Sequence, residues 1–175
     1  MKSIAANMTF QTDRMKNESV VFVRNQQRAK PVNCALLKEF TRALVEDCLG
    51  RKDYELGIHL VSLPRIAELN ETYLRHEGPT DVITFDYADP ARPEWLGGDL
   101  FICIAQAEIQ AALFRTTWQN ELARYIIHGA LHLCGYQDHS PAARNKMKAR
   151  EDRILSELAQ TFRLPQLGGR SARSS

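Results

Sequence analysis

Two histidines, His128 and His132, stand four residues apart in the run 125–139, Y-I-I-H-G-A-L-H-L-C-G-Y-Q-D-H. The apolar residues of this run have helical spacing. On an α-helix, positions i and i+4 lie one above the other on one face. Two imidazoles are then side by side, as a divalent metal ion needs them. Gly135 can end the helix in a left-handed conformation and turn the chain back. That turn brings Asp138 or His139 within reach of the same ion. The pair alone is a weak signal, equally at home in a core or on a surface. The glycine, with a ligand-type residue six or seven positions after His132, makes it a metal site. Nitrogen-rich ligation with an open fourth position suits one zinc ion in a catalytic role. A metal-bound water on the His128/His132 site is then the reactive group, beside a polarised phosphoryl or carbonyl oxygen.

Glu121, Arg124 and His128 are spaced by three and four and share this helix face. Glu121 is positioned to orient a ligand from behind, though a helical ion pair between Glu121 and Arg124 is the plainer expectation. Zinc peptidases of the H-E-x-x-H type carry a glutamate directly after the first histidine as general base. Gly129 stands there instead, which argues against peptide hydrolysis by that route.

The rest of the chain must hold this stretch. Residues 19–24 (S-V-V-F-V-R) predict a strand, and 34–49 a helix closed by Gly50. Residues 56–61 predict a second strand. A helix follows over 63–75, with Ser62 as N-cap and Pro64 in its first turn. Gly78-Pro79 breaks that helix before a strand over 81–85, where Asp81 is expected to bond backbone amides near the cleft, as is Asp99. After a proline-containing loop, Gly97-Gly98 precede a fourth strand from Asp99. Helices are expected over 105–115, from 117 to the histidines, and from 141 to about 162 after the cap Ser140. The order implies an α+β fold: a small four-stranded mixed β-sheet packed with about five α-helices in a single domain. The domain is expected over 19–162, between a disordered N-terminal tail (1–18) and a flexible C-terminal tail (163–175). Strand residue His59 and turn residue His76 are read as structural or exposed, and loop residue Trp95 as a core plug rather than a base-stacking platform.

Bulk properties exclude little. A chain of 175 residues with 44% hydrophobic and 25% charged residues is an ordinary globular domain. The net charge of +2 makes no claim on nucleic acid or membrane. From Pro141 onward, however, eight basic residues face three acidic ones, and a basic rim beside a metal suits a polyanion. The four cysteines form no C-x-x-C pair, which predicts free thiols in a reducing, cytoplasmic setting. No apolar run reaches membrane-spanning length.

H-G-A-L-H-L-C-G-Y, together with P-T-D-V-I-T-F at 79–85, G-G-D-L-F-I at 97–102 and L-N-E-T-Y at 69–73, resembles the YbeY family of bacterial endoribonucleases over about residues 19–160. The resemblance implies a zinc-dependent, single-strand-specific endoribonuclease. Its expected work is ribosomal RNA processing, notably 16S 3′ end maturation, and ribosome quality control. The expected partners are ribosomal RNA, the small ribosomal subunit and ribosome-associated proteins. Two departures stand out. The family's third ligand is a histidine six residues after the second, where this chain has Asp138 and His139 comes one later. Without an insertion Asp138 ligates, and the position of Met147 leans that way; with an insertion His139 does. The family also places an arginine directly after the aromatic of L-N-x-x-Y. Here Leu74 has that place, so Arg75 becomes the first candidate to hold a phosphate, with Arg124 in reserve. Two other readings compete: a zinc peptidase or amidohydrolase, favoured by a glutamate near the metal water, and a ribosome-associated binding protein with structural zinc, favoured by a fourth protein ligand.

Overall fold

A computed structural model of the chain describes residues 19–169. Four strands form one mixed sheet: β1 (Val20–Asn25), β2 (Tyr54–Val61), β3 (Val82–Asp86) and β4 (Leu96–Cys103), in the order β1-β2-β4-β3. β1, β2 and β4 run parallel, and β3 pairs antiparallel with β4 at the edge. Five helices join them: α1 (Cys34–Ala43), α2 (Leu63–Leu69), α3 (Ile104–Phe114), α4 (Trp118–Leu133) and α5 (Pro141–Thr161). This is the α+β arrangement that the order of motifs predicts.

Strand alternation divides the core. Leu56, Ile58 and Leu60 of β2, with Leu100 and Ile102 of β4, face the main core, where Leu37, Phe40, Ile126, Ala130 and Ile154 meet them. The other sheet face carries Val61, Ile83 and Cys103, covered by Ile66 and Leu69 of α2. α4 is the buried spine of the main layer. A Cβ on Gly129 would come within 2.5 Å of Leu100 and 3.1 Å of Thr84 Oγ1, so the missing side chain lets α4 lie directly on β4 and β3. No helix among the described residues is long and apolar enough to cross a membrane. All four cysteines are free thiols.

Three expectations change. β4 begins at Leu96 rather than at Asp99, because Gly97 and Gly98 lie in the strand. They are glycines for lack of room: the Trp95 indole covers one, and the Phe85 carbonyl and Leu133 crowd the other. The helix over 63–75 continues past Leu69 as one wider turn, Asn70–Leu74, and stops at Arg75 in the left-handed region (φ 56°). The expected flexible tail from 163 is an ordered segment as far as Gly169. Leu164 and Leu167 are buried in a short 3₁₀ turn, and the backbone pairs with 31–33. The expectation weighed the small polar end of that tail over its two leucines. The expected N-terminal tail, 1–18, lies outside the described residues, as does 170–175.

Candidate metal centre

The histidine helix ends in a turn that the sequence specifies. Gly135 has φ 86°. Its N–H donates to the His132 carbonyl and that of Tyr136 to the Leu131 carbonyl, the paired bonds of a Schellman cap. The chain therefore folds back over the last turn of α4. The Tyr136 carbonyl meets His132 Nδ1 at 2.9 Å, and Arg144 holds the Asp138 carbonyl at 3.1 Å. The Asp138 carboxylate then lies 3.7 Å from His132 Nε2. One atom each from His128, His132 and Asp138 falls within 4.8 Å of the others, the only such cluster among the described residues. His139 is 84% exposed and lies outside the cluster, its ring reaching only the Asp138 carboxylate at 3.8 Å. The geometry thus brings together His128, His132 and Asp138, and leaves His139 aside.

The imidazoles are oriented from behind. His128 Nδ1 faces Glu151 Oε1 at 2.6 Å. His132 Nδ1 faces a carbonyl, which only accepts, so that nitrogen carries the proton. The Nε2 atoms then oppose each other at 3.0 Å. Two lone pairs that close repel unless a proton or a cation sits between them. Two nitrogens on one tetrahedral zinc, each bonded at ~2.0–2.1 Å, stand ~3.3 Å apart, so the donor set fits such an ion. Burial disfavours a charged His128, but the hydrogen bond and charge of Glu151, with the charges of Asp81 and Asp138, outweigh it and raise its pKa above 6.5.

Beside His128 opens a cavity of about 380 Å³, lined by Phe114, Glu121, Arg124, Tyr125 and Lys148 among others. The expected Glu121–Arg124 ion pair does not form. Arg124 reaches across to Asp152 on α5 at 2.6 Å, while Glu121, 5% exposed, accepts a hydrogen bond from Thr116. The carboxylate that orients His128 is Glu151, not Glu121. Sequence reasoning missed it, although Met147, Glu151, Ile154 and Leu158 share helical spacing. An acid on an otherwise apolar stripe was the available signal. Arg75 is exposed on its left-handed turn and does not line the cavity. Asp81 accepts the Val82 amide, as expected. Asp99 instead bonds side chains, at 2.9 Å from His59 Nε2 and 2.8 Å from the Tyr87 hydroxyl, while His59 stacks on Phe101. Trp95 is half-buried against Gly97, with Arg92 over its ring.

Two oriented imidazoles and a carboxylate beside a cation-bearing cavity, on an α+β scaffold, form a candidate metal site. The endoribonuclease YbeY family model matches residues 22–159, and the chain belongs to that family of RNA-cleaving hydrolases. An endoribonuclease YbeY from Parabacteroides distasonis is 39% identical over 119 residues, covering 68% of this chain and 82% of its own. One from Phocaeicola vulgatus is 40% identical over 115 residues, covering 66% and 81%. The solution structure of a Thermotoga maritima protein shares the fold with a TM-score of 0.60 at 23% identity, covering 89% of this chain and all of its own.

Proposed function

We propose that this chain is a metal-dependent endoribonuclease that cuts single-stranded RNA in the cytoplasm, with small-subunit ribosomal RNA as its substrate. The observation that carries the reading is the convergence of His128 Nε2, His132 Nε2 and an Asp138 carboxylate oxygen beside a cavity bearing Arg124 and Lys148. His128, His132 and Asp138 would hold one zinc ion. Bound there, zinc acidifies a coordinated water and polarises a phosphoryl oxygen. The remaining work belongs to the chain. Glu151 and the Tyr136 carbonyl keep both rings turned toward the ion. The Arg124 guanidinium, already at the cavity wall, steadies a phosphate by its planar fork. Arg75 is the second candidate for that role, from its exposed turn.

The competing readings have less support. Gly129 stands where an H-E-x-x-H peptidase has its glutamate, and a Cβ there would press on Leu100 at 2.5 Å. The cluster among the described residues has three members, whereas structural zinc sites are closed by four protein ligands. The experiment measures metal content and cleavage of single-stranded ribosomal RNA by wild type, Asp138→Ala, His139→Ala and Arg75→Ala. Loss of metal and cleavage in Asp138→Ala, with both kept in His139→Ala, is expected. If His139→Ala alone loses the metal, the ligand assignment is wrong. Full cleavage by Arg75→Ala leaves the phosphate to Arg124.

A further inference from the structure

The cavity beside His128 contains two polar groups that the metal site does not use. Tyr125 lines it and is 6% exposed, and its buried hydroxyl has no hydrogen-bond partner among the described residues. Glu121 lines it one helical turn earlier, 5% exposed; its carboxylate accepts from the Thr116 hydroxyl, and no cation among the described residues is paired to it. An orphan hydroxyl and a thinly satisfied carboxylate are each costly in a folded chain, and both belong to residues that line one cavity. Helix-dipole stabilisation accounts for a carboxylate in the first turn of α4, but not for an unbonded tyrosine hydroxyl. At the mouth of the same cavity the Phe114 ring is 68% exposed, on a helix end where Arg115 takes a left-handed turn. Arg124 and Lys148 complete the rim.

Stacking surface, acceptor, donor and flanking cations are what a splayed-out nucleobase meets in single-strand recognition. Tyr125 precedes His128 by three residues and Glu121 by seven, so at 1.5 Å per residue they lie ~4.5 and ~10 Å along the helix from it. That places the cavity one nucleotide away from the metal centre. We propose that this cavity is a nucleobase pocket for the nucleotide flanking the scissile phosphate: Phe114 stacks the base, Glu121 accepts from its amino group, and Tyr125 donates to the adjacent ring nitrogen. On the Watson–Crick edge, an amino group beside an unprotonated ring nitrogen is shared by adenine and cytosine; uracil has no amino group, and on that edge guanine's lies beside a protonated nitrogen. The pocket rests on the ribonuclease reading for its substrate, and it adds a base preference to that reading.

The test uses zinc-loaded full-length protein and short unstructured RNAs that differ only in one base. Equilibrium binding is read by fluorescence anisotropy and cleavage by product mapping. Wild type should favour adenine or cytosine over uracil and guanine about tenfold at one position, the size of a well-made base contact. Tyr125→Phe and Glu121→Gln should each reduce that preference to about twofold with zinc content unchanged. Phe114→Ala should weaken binding of all the RNAs several-fold, and Phe114→Trp should restore it. Tyr125→Phe should melt no lower than wild type, since it removes only an unpartnered hydroxyl. Equal binding of the four bases by wild type, or a preference untouched in both Tyr125→Phe and Glu121→Gln, overturns the pocket. A base preference in binding without cleavage supports the pocket and counts against the ribonuclease reading.

Discussion

Replacing Glu151 with glutamine removes the charge 2.6 Å from His128 Nδ1 and keeps the shape of the side chain. Glu151 is only 13% exposed, so water screens that charge poorly and cannot readily replace its hydrogen bond. In the wild type the carboxylate fixes the tautomer that turns Nε2 toward His132 and makes that nitrogen more basic. A glutamine amide presents either an oxygen or an N–H to the ring, so the tautomer is less strongly fixed. Changes behind a metal-bound histidine cost roughly 10–100-fold in metal affinity, or about 1.4–2.7 kcal/mol. Zinc affinity of Glu151→Gln, measured by competition with a chromogenic chelator, should fall within that range. Glu68→Gln, which alters only an exposed ion pair with Arg65, should bind as wild type does. Unchanged affinity in Glu151→Gln would refute the claim that Glu151 orients the site.

The same contact predicts a pH effect in metal-free protein. His128 has a raised pKa in the folded chain, so its stabilising charge is fully present below about 6.5 and is lost as pH rises through the folded value. The melting temperature of stripped wild type should fall across that window, and that of Glu151→Gln should stay flatter; parallel curves would contradict this. Gly129→Ala forces a methyl into the contact with Leu100. Overpacking of ~1–3 kcal/mol outweighs the ~0.5–1 kcal/mol that alanine gains in a helix, so urea denaturation should show a net loss; a gain would mean that α4 moves off the sheet at little cost. Leu167→Ala should destabilise by ~2–5 kcal/mol, since Leu167 is fully buried; a change near zero would mean that the segment after α5 does not anchor the domain.

Much of this was readable because it is local. The i,i+4 histidines, the Gly135 stop and the apolar stripes of α1, α4 and α5 each obey a rule spanning a few residues. So do the short strands that pair into the sheet. What was missed depends on the third dimension. Glu151 reaches His128 from 23 positions away, because α5 packs on α4. Arg124 chose Asp152 over its own helix neighbour for the same reason. The choice between Asp138 and His139 turned on how the loop after Gly135 winds, which an Arg144 hydrogen bond fixes from the next helix. Gly97 and Gly98 looked like a turn, and only the Trp95 ring and the Phe85 carbonyl reveal why a strand needs them.

The central claim is that a metal ion on His128, His132 and Asp138 drives RNA cleavage. Its most direct test measures cleavage of a single-stranded ribosomal RNA fragment by purified protein before chelation, after chelation and after zinc is restored, with His128→Ala purified in parallel. Activity should disappear with the metal, return with it, and be absent throughout in His128→Ala. Cleavage that persists through chelation and in His128→Ala would contradict the account.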